Sequence, residues 1–172
     1  PIGNIQLPPP THPEVLALMR DAQSSRALNR LEQAAISQSI LPIETLVLRA
    51  TLLQQTGQWK KAEADWRSVI DREVFLRTFA RRAIVDILSA NDDPDHAMVV
   101  LNDLMRSDTT RHLDLLLLVG KSFERVGKNK QAILAYWRLL SATAQGTLAD
   151  ETRLKLSKAL ENNGRLVEAL TT

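Results

Sequence analysis

Residues 46–69 read LVLRATLLQQTGQWKKAEADWRSV. Leu46, Ala50 and Leu53 recur at helical spacing, Gly57 interrupts them, and a second helical set follows in Ala62, Trp66, Val69 and Ile70. This is the pattern of two helices joined by a tight turn, with the glycine free to take the left-handed conformation that ends a helix. The design returns at residues 116–139, LLLVGKSFERVGKNKQAILAYWRL: Leu116, Val119, Gly120 and Phe123, then Gly127, then Ala132, Tyr136, Leu139 and Leu140.

Outward from these stretches, one residue type keeps time along the chain. Ala27, Ala62, Ala97, Ala132 and Ala169 are separated by 35, 35, 35 and 37 residues. A period of that size marks an array of stacked helix pairs, whose core is a continuous stripe between neighbouring units. Gly57, Gly127 and Gly164 each lie five residues before a period alanine. Helices that pack closely need small residues where their backbones approach. Ala50, Gly120 and Ser157 supply them in the first helix of a pair, and the period alanines supply them in the second. A larger side chain there would overpack the contact by about 1–3 kcal/mol. Trp66, Leu101 and Tyr136, one turn later, fill the space beside the alanines. Gly120 costs about 1 kcal/mol of helix propensity against alanine, a cost that close packing repays.

The other repeats are less regular. In the first, Thr11 and Glu14 are spaced as in a capping box, Pro13 suits a first turn, and Ser24 or Ser25 caps the next helix. The third carries Leu76, Ala80, Ile84 and Leu88 on one row with Phe79, Ala83 and Ile87 beside it. Its turn, Asn91-Asp92-Asp93-Pro94, lacks the glycine; Asp93 caps the following helix and Pro94 enters its first turn. The spacing predicts helices near 13–22, 25–39, 43–56, 59–71, 74–90, 94–106, 110–126, 129–145, 148–163 and 165–172. The chain is therefore read as all-α, an α-solenoid of antiparallel helix pairs, with repeats at 13–41, 42–72, 73–108, 109–146 and 147–172. Residues 1–12, with Pro8, Pro9 and Pro10, read as a proline-rich linker or disordered terminus.

The repeat at Leu46, Ala50, Leu53, Gly57, Trp59, Ala62, Trp66 and Val69, and again at Leu116, Val119, Gly120, Phe123, Gly127, Ala132, Tyr136 and Leu139, resembles the tetratricopeptide (TPR) repeat. The resemblance covers about residues 13–172. It implies a right-handed superhelix whose concave face, lined by the first helix of each pair (the A helix), holds a partner segment. Some TPR proteins clamp a C-terminal carboxylate with lysine and asparagine on successive A helices. The corresponding positions here are Val47, Thr51, Leu117 and Lys121, so that pair is absent. Helical phase puts Thr51, Gln54, Gln55, Arg82, Lys121, Arg125, Lys155 and Lys158 on the implied groove. The C-terminal part of this set is basic, which points to an acidic or carboxylate-bearing partner.

Little else in the sequence points to chemistry. The formal net charge of +2 is too small to argue for nucleic acid or an anionic membrane. There is no cysteine, hence no disulfide framework and no thiolate metal site. His12, His96 and His112 are far apart and read as surface or cap residues; no metal, cofactor or catalytic residue is expected. Arg77, Arg81 and Arg82 surround Phe79, a combination that suits single-stranded RNA, but a solvated helix face with Phe79 buried explains it more simply. Trp66 reads as core; Trp59 and Trp137 are left open. No apolar run approaches the roughly 18 residues of a membrane span. The chain begins at Pro1 and stops inside a helical pattern, with Leu166, Ala169 and Leu170 as an apolar row. It therefore reads as a fragment whose last helix is free to self-associate.

Three functions fit. The first is a non-enzymatic protein-interaction scaffold that binds a partner segment in the groove. The second is the non-catalytic helical domain of a larger bacterial cell-envelope protein, such as a lytic transglycosylase or an exopolysaccharide-export protein; that analogy inclines the localisation toward the periplasm. The third, an RNA-binding repeat, needs more basic residues in register.

Overall fold

The computed structural model describes residues 12–36, 40–107, 112–143, 145–164 and 169. Among these residues lie nine α-helices, one 3₁₀ turn and no strand. They fall into two compact units, one ending at Val74 and the other beginning at Phe75. In the first unit α1 (Pro13–Arg20) pairs with α2 (Ser24–Ala35), and α3 (Ile43–Gln55) with α4 (Trp59–Arg72). In the second, α5 (Arg77–Ala90) pairs with α6 (Pro94–Ser107) and α7 (Leu113–Arg125) with α8 (Asn129–Ala142), while α9 (Thr147–Asn162) packs on α7 and α8. The 3₁₀ turn, Val74–Leu76, takes the start of the predicted 74–90 helix.

One backbone device recurs. In four repeats an N–H reaches five residues back to close the turn: Gln23 to Leu18 at 2.9 Å, Gln58 to Leu53 at 2.8 Å, Asp93 to Leu88 at 2.9 Å and Lys128 to Phe123 at 2.9 Å. Each donor follows a residue in the left-handed region: Ala22 (φ 55°), Gly57 (76°), Asp92 (58°) and Gly127 (74°). Gly164 (75°) continues the series. The turn that lacks a glycine in the third repeat thus has the same shape as its neighbours, with Asp92 in the strained position. The same geometry ends α1 at Arg20, two residues short of the predicted limit.

The small residues sit where close packing needs them. Ala27, Ala62, Ala97 and Ala132 are 0 % exposed and Ala169 is 7 % exposed. At Gly120 a Cβ would lie 2.4 Å from Cε1 of Tyr136, whose ring is fully buried against the helix backbone. The Ser157 hydroxyl donates to the Ala169 carbonyl at 3.1 Å. Within the first unit, Arg49 on α3 makes a two-pronged ion pair with Asp65 on α4, at 2.7 Å for each prong.

Several local expectations change. The residue preceding α2 is Gln23; Ser24 is the first residue of the helix, and its hydroxyl donates to Gln55 of α3 at 2.7 Å instead of capping. Asp93 does act at the start of α6, accepting the His96 N–H at 3.4 Å. The Thr11 half of the capping box, the linker over 1–11, and Leu166 and Leu170 of the terminal row lie outside the described residues.

Candidate partner-binding faces

The A helices are α1 and α3 in the first unit and α5, α7 and α9 in the second. On α3, Thr51, Gln54 and Gln55 form a neutral polar stretch. The Thr51 hydroxyl donates to the Val47 carbonyl at 2.9 Å, and Gln55 holds Ser24. Burial of Leu28, Leu31, Leu46, Ala50, Leu52 and Leu53 turns these polar residues away from the core.

In the second unit α5 contacts α7 and α7 contacts α9. The apolar residues Leu115, Leu116, Val119 and Phe123 of α7 are buried, which leaves Asp114, Leu118, Lys121 and Arg125 as its more open row. Leu117, a groove position by resemblance, is only 6 % exposed, and the open row holds Leu118 in its place. On α9 the exposed residues include Glu151, Leu154 and Lys158.

The predicted cations on these helices meet carboxylates about one repeat away. Arg82 of α5 pairs with Asp114 of α7. Lys121 of α7 pairs with Glu151 of α9 at 2.6 Å, and Lys155 of α9 faces Glu124 of α7 at 3.8 Å. Arg125 binds Asp92 at 2.9 Å and also donates to the Ser89 carbonyl. Lys158 has no carboxylate partner among the described residues. The structure therefore brings Arg82, Lys121, Arg125 and Lys155 onto adjoining helices, but as members of ion pairs whose charges cancel. The basic character that pointed to an acidic partner is largely neutralised on this face.

His112, expected at the surface or in a cap, occupies the N-cap position of α7 but is 4 % exposed. Its Nδ1 lies 2.9 Å from Nη1 of Arg82. A guanidinium can only donate, so Nδ1 is the acceptor in this pair. Burial pushes the Asp114 carboxyl up, but the hydrogen bond and charge of Arg82 and the N–H groups of Leu115 and Asp114 outweigh it and hold the group below the usual range. The Asp86 carboxyl moves the other way: burial raises it, Arg82 opposes, and Asp114 adds to the rise. Burial, followed by the nearby Glu124, pushes the Tyr136 phenol far above its ordinary value, and the phenol donates to Glu124 at 3.0 Å.

The arginine cluster around Phe79 departs from the simpler reading of the sequence in one respect, the burial of Phe79. Arg81 donates to Ser107 at 2.6 Å and Arg82 is held by Asp114, while Phe79 is 54 % exposed, not buried. Trp66 is core at 1 % exposure and Trp137 is 45 % exposed. Among the described residues no His, Asp and Glu side chains converge as a metal site, and no helix is long and apolar enough to cross a membrane.

No family model and no curated protein matches the sequence. Solved structures do share the fold. A crystal structure of MamA superposes with a TM-score of 0.70 at 16 % identity, covering 92 % of this chain and 89 % of that one. MamA from Desulfovibrio magneticus RS-1, residue 41 to the end, gives 0.69 at 14 % identity, covering 91 % and 85 %. A putative kinesin light chain from Podosopora anserina with nearly identical TPR-like repeats gives 0.67 at 17 %, covering 93 % and 88 %. The fold is that of the TPR-like helical repeats.

Proposed function

We propose that the protein is an interaction scaffold whose A-helix faces hold a partner segment. The observation that carries this reading is the surface of the second unit. Arg82, Asp114, Lys121 and Glu151 are tied laterally into ion pairs between successive A helices. These pairs bring the face close to charge balance, and the same helices carry the exposed Leu154, the half-exposed Phe79 and the open Lys158. Held side chains lose little entropy when a partner docks, and preorganisation of this kind favours affinity. The Thr51, Gln54 and Gln55 stretch of α3 offers hydrogen bonds in the first unit.

The test is selection of binding segments from a peptide display library on the purified chain. Segments that use this face should lose about ten-fold or more in affinity with Leu154→Ser or Phe79→Ser. Selection of no segment, or of segments indifferent to both variants and to Lys158→Glu, would place binding elsewhere.

A further inference from the structure

Charges of the second unit are widely paired, Asp95 with Lys128 and Asp103 with Arg106 among them, but the cations of α8 have no carboxylate on their own helix. On the A-helix side Arg82, Lys121, Arg125 and Lys155 each lie against a carboxylate. On α8, residues 129–142 include no Asp or Glu. Its outer row runs Lys130, Leu134, Arg138 at i, i+4 spacing, with Trp137 alongside. Leu134 is 69 % exposed. Arg138 spends its terminal nitrogens on uncharged acceptors of α6, the Asn102 side-chain carbonyl at 2.6 Å and the Met105 sulfur at 3.6 Å. Its positive charge is fixed in place and not cancelled by a carboxylate there.

Beside this row is a mainly apolar cavity of about 220 Å³. It is walled by Met98 and Asn102 of α6 and by Leu134, Ala135 and Arg138 of α8, with buried Phe123 of α7 behind them. Pockets for small ligands run from about 300 to 1,000 Å³. A smaller apolar recess suits one side chain projecting from a docked chain, and a methionine wall adapts to its shape.

We propose that the outer face of α8 is a second docking surface, separate from the A-helix face. Its occupant is an acidic protein segment that seats one large apolar side chain in the α6–α8 cavity and sets its carboxylates against Lys130 and Arg138. The planar guanidinium of Arg138, already oriented by Asn102, suits a carboxylate better than a diffuse charge does. Two cations are few for holding an anionic bilayer, where each contributes little, and the recess selects a discrete side chain rather than a lipid surface.

The experiment measures binding of three probes to the intact chain. They are a fluorescent peptide with one phenylalanine flanked by glutamates, the same peptide with lysines replacing the glutamates, and vesicles of phosphatidylserine and phosphatidylcholine. The acidic peptide should bind and the basic one should not. Leu134→Ser should weaken the acidic peptide roughly ten-fold, and Lys130→Glu should weaken it several-fold while flattening its salt dependence. Both residues are exposed, and circular dichroism checks that the variants keep their helix content. Lys60→Glu, a charge reversal at an exposed position of α4 in the first unit, should change nothing. The proposal fails if the acidic peptide does not bind, or binds no better than the basic one. It also fails if Leu134→Ser and Lys130→Glu leave the affinity unchanged, if Lys60→Glu weakens it as much as they do, or if binding is lost instead with Lys158→Glu on the A-helix face. Vesicle binding that depends on Leu134 and Lys130, with no peptide binding, would replace the protein segment by a membrane.

Discussion

The left-handed turn residue is interchangeable in shape but not in energy, and swapping its identity between repeats exposes that difference. Ala22 adopts φ 55° where Gly57 adopts φ 76° in the next repeat. An L-residue in this region crowds its Cβ against the following carbonyl at about 1–2 kcal/mol. Ala22→Gly removes that strain and returns about 0.4–1 kcal/mol of extra freedom to the unfolded chain. The net expected gain is about 0.5–1 kcal/mol. Gly57→Ala runs in the opposite direction. A Cβ built at Gly57 meets nothing within 4 Å, so no contact confuses the reading, and the loss should be about 0.5–1 kcal/mol. The double variant should return near the parent stability, because the two residues share no hydrogen bond and each effect lies in its own backbone. Urea unfolding followed by circular dichroism should show midpoints moving in opposite directions at constant slope. In a chain of this length each kcal/mol corresponds to about 2–4 °C in Tm. If Ala22→Gly destabilises, or Gly57→Ala proves neutral, backbone strain at this position does not govern the turn.

Four further outcomes are expected. Gly120→Ala should destabilise despite its better helix propensity, because the new Cβ falls 2.4 Å from the Tyr136 ring. Ala62→Leu and Ala132→Leu, at fully buried positions, should each cost about 1–3 kcal/mol in denaturant melts. Tyr136 should make stability fall at alkaline pH. Its folded pKa is raised, so its contribution is complete below the unfolded value of about 10 and is lost as pH rises and only the unfolded chain ionises. Tyr136→Phe should flatten that slope in melts across the alkaline range. Ser89→Ala should be neutral or stabilising by about 1 kcal/mol, since the Ser89 hydroxyl is buried without a hydrogen-bond partner among the described residues and its removal leaves nothing unsatisfied.

The sequence by itself determined the helix pairs, the period and the turn positions. Those features rest on neighbours three to five residues apart: apolar residues on one helical face, a glycine or its substitute five residues before each period alanine, and a proline after Asp93. Local backbone sterics and helical periodicity leave them legible in a single chain. The irregular turn at Asp92 shows the limit, for its left-handed shape follows from the repeat and not from its own residue type. Only the tertiary structure decided what the side chains meet one repeat away. Arg82 finds Asp114, Asp92 finds Arg125, Asp95 finds Lys128, and Lys121 finds Glu151. Each pair is about one repeat apart in sequence, and a faint signal was present in acids and bases recurring at that separation. Helical phase gives the direction in which a side chain leaves its own helix but not the helix it meets. The groove cations were therefore read as open charge when most are paired, Phe79 was read as buried when it is half exposed, and His112, read as a surface or cap residue, takes the cap position but is buried beside Arg82. Charge and burial at a surface are properties of packed neighbours, and stacking alone sets which neighbours those are.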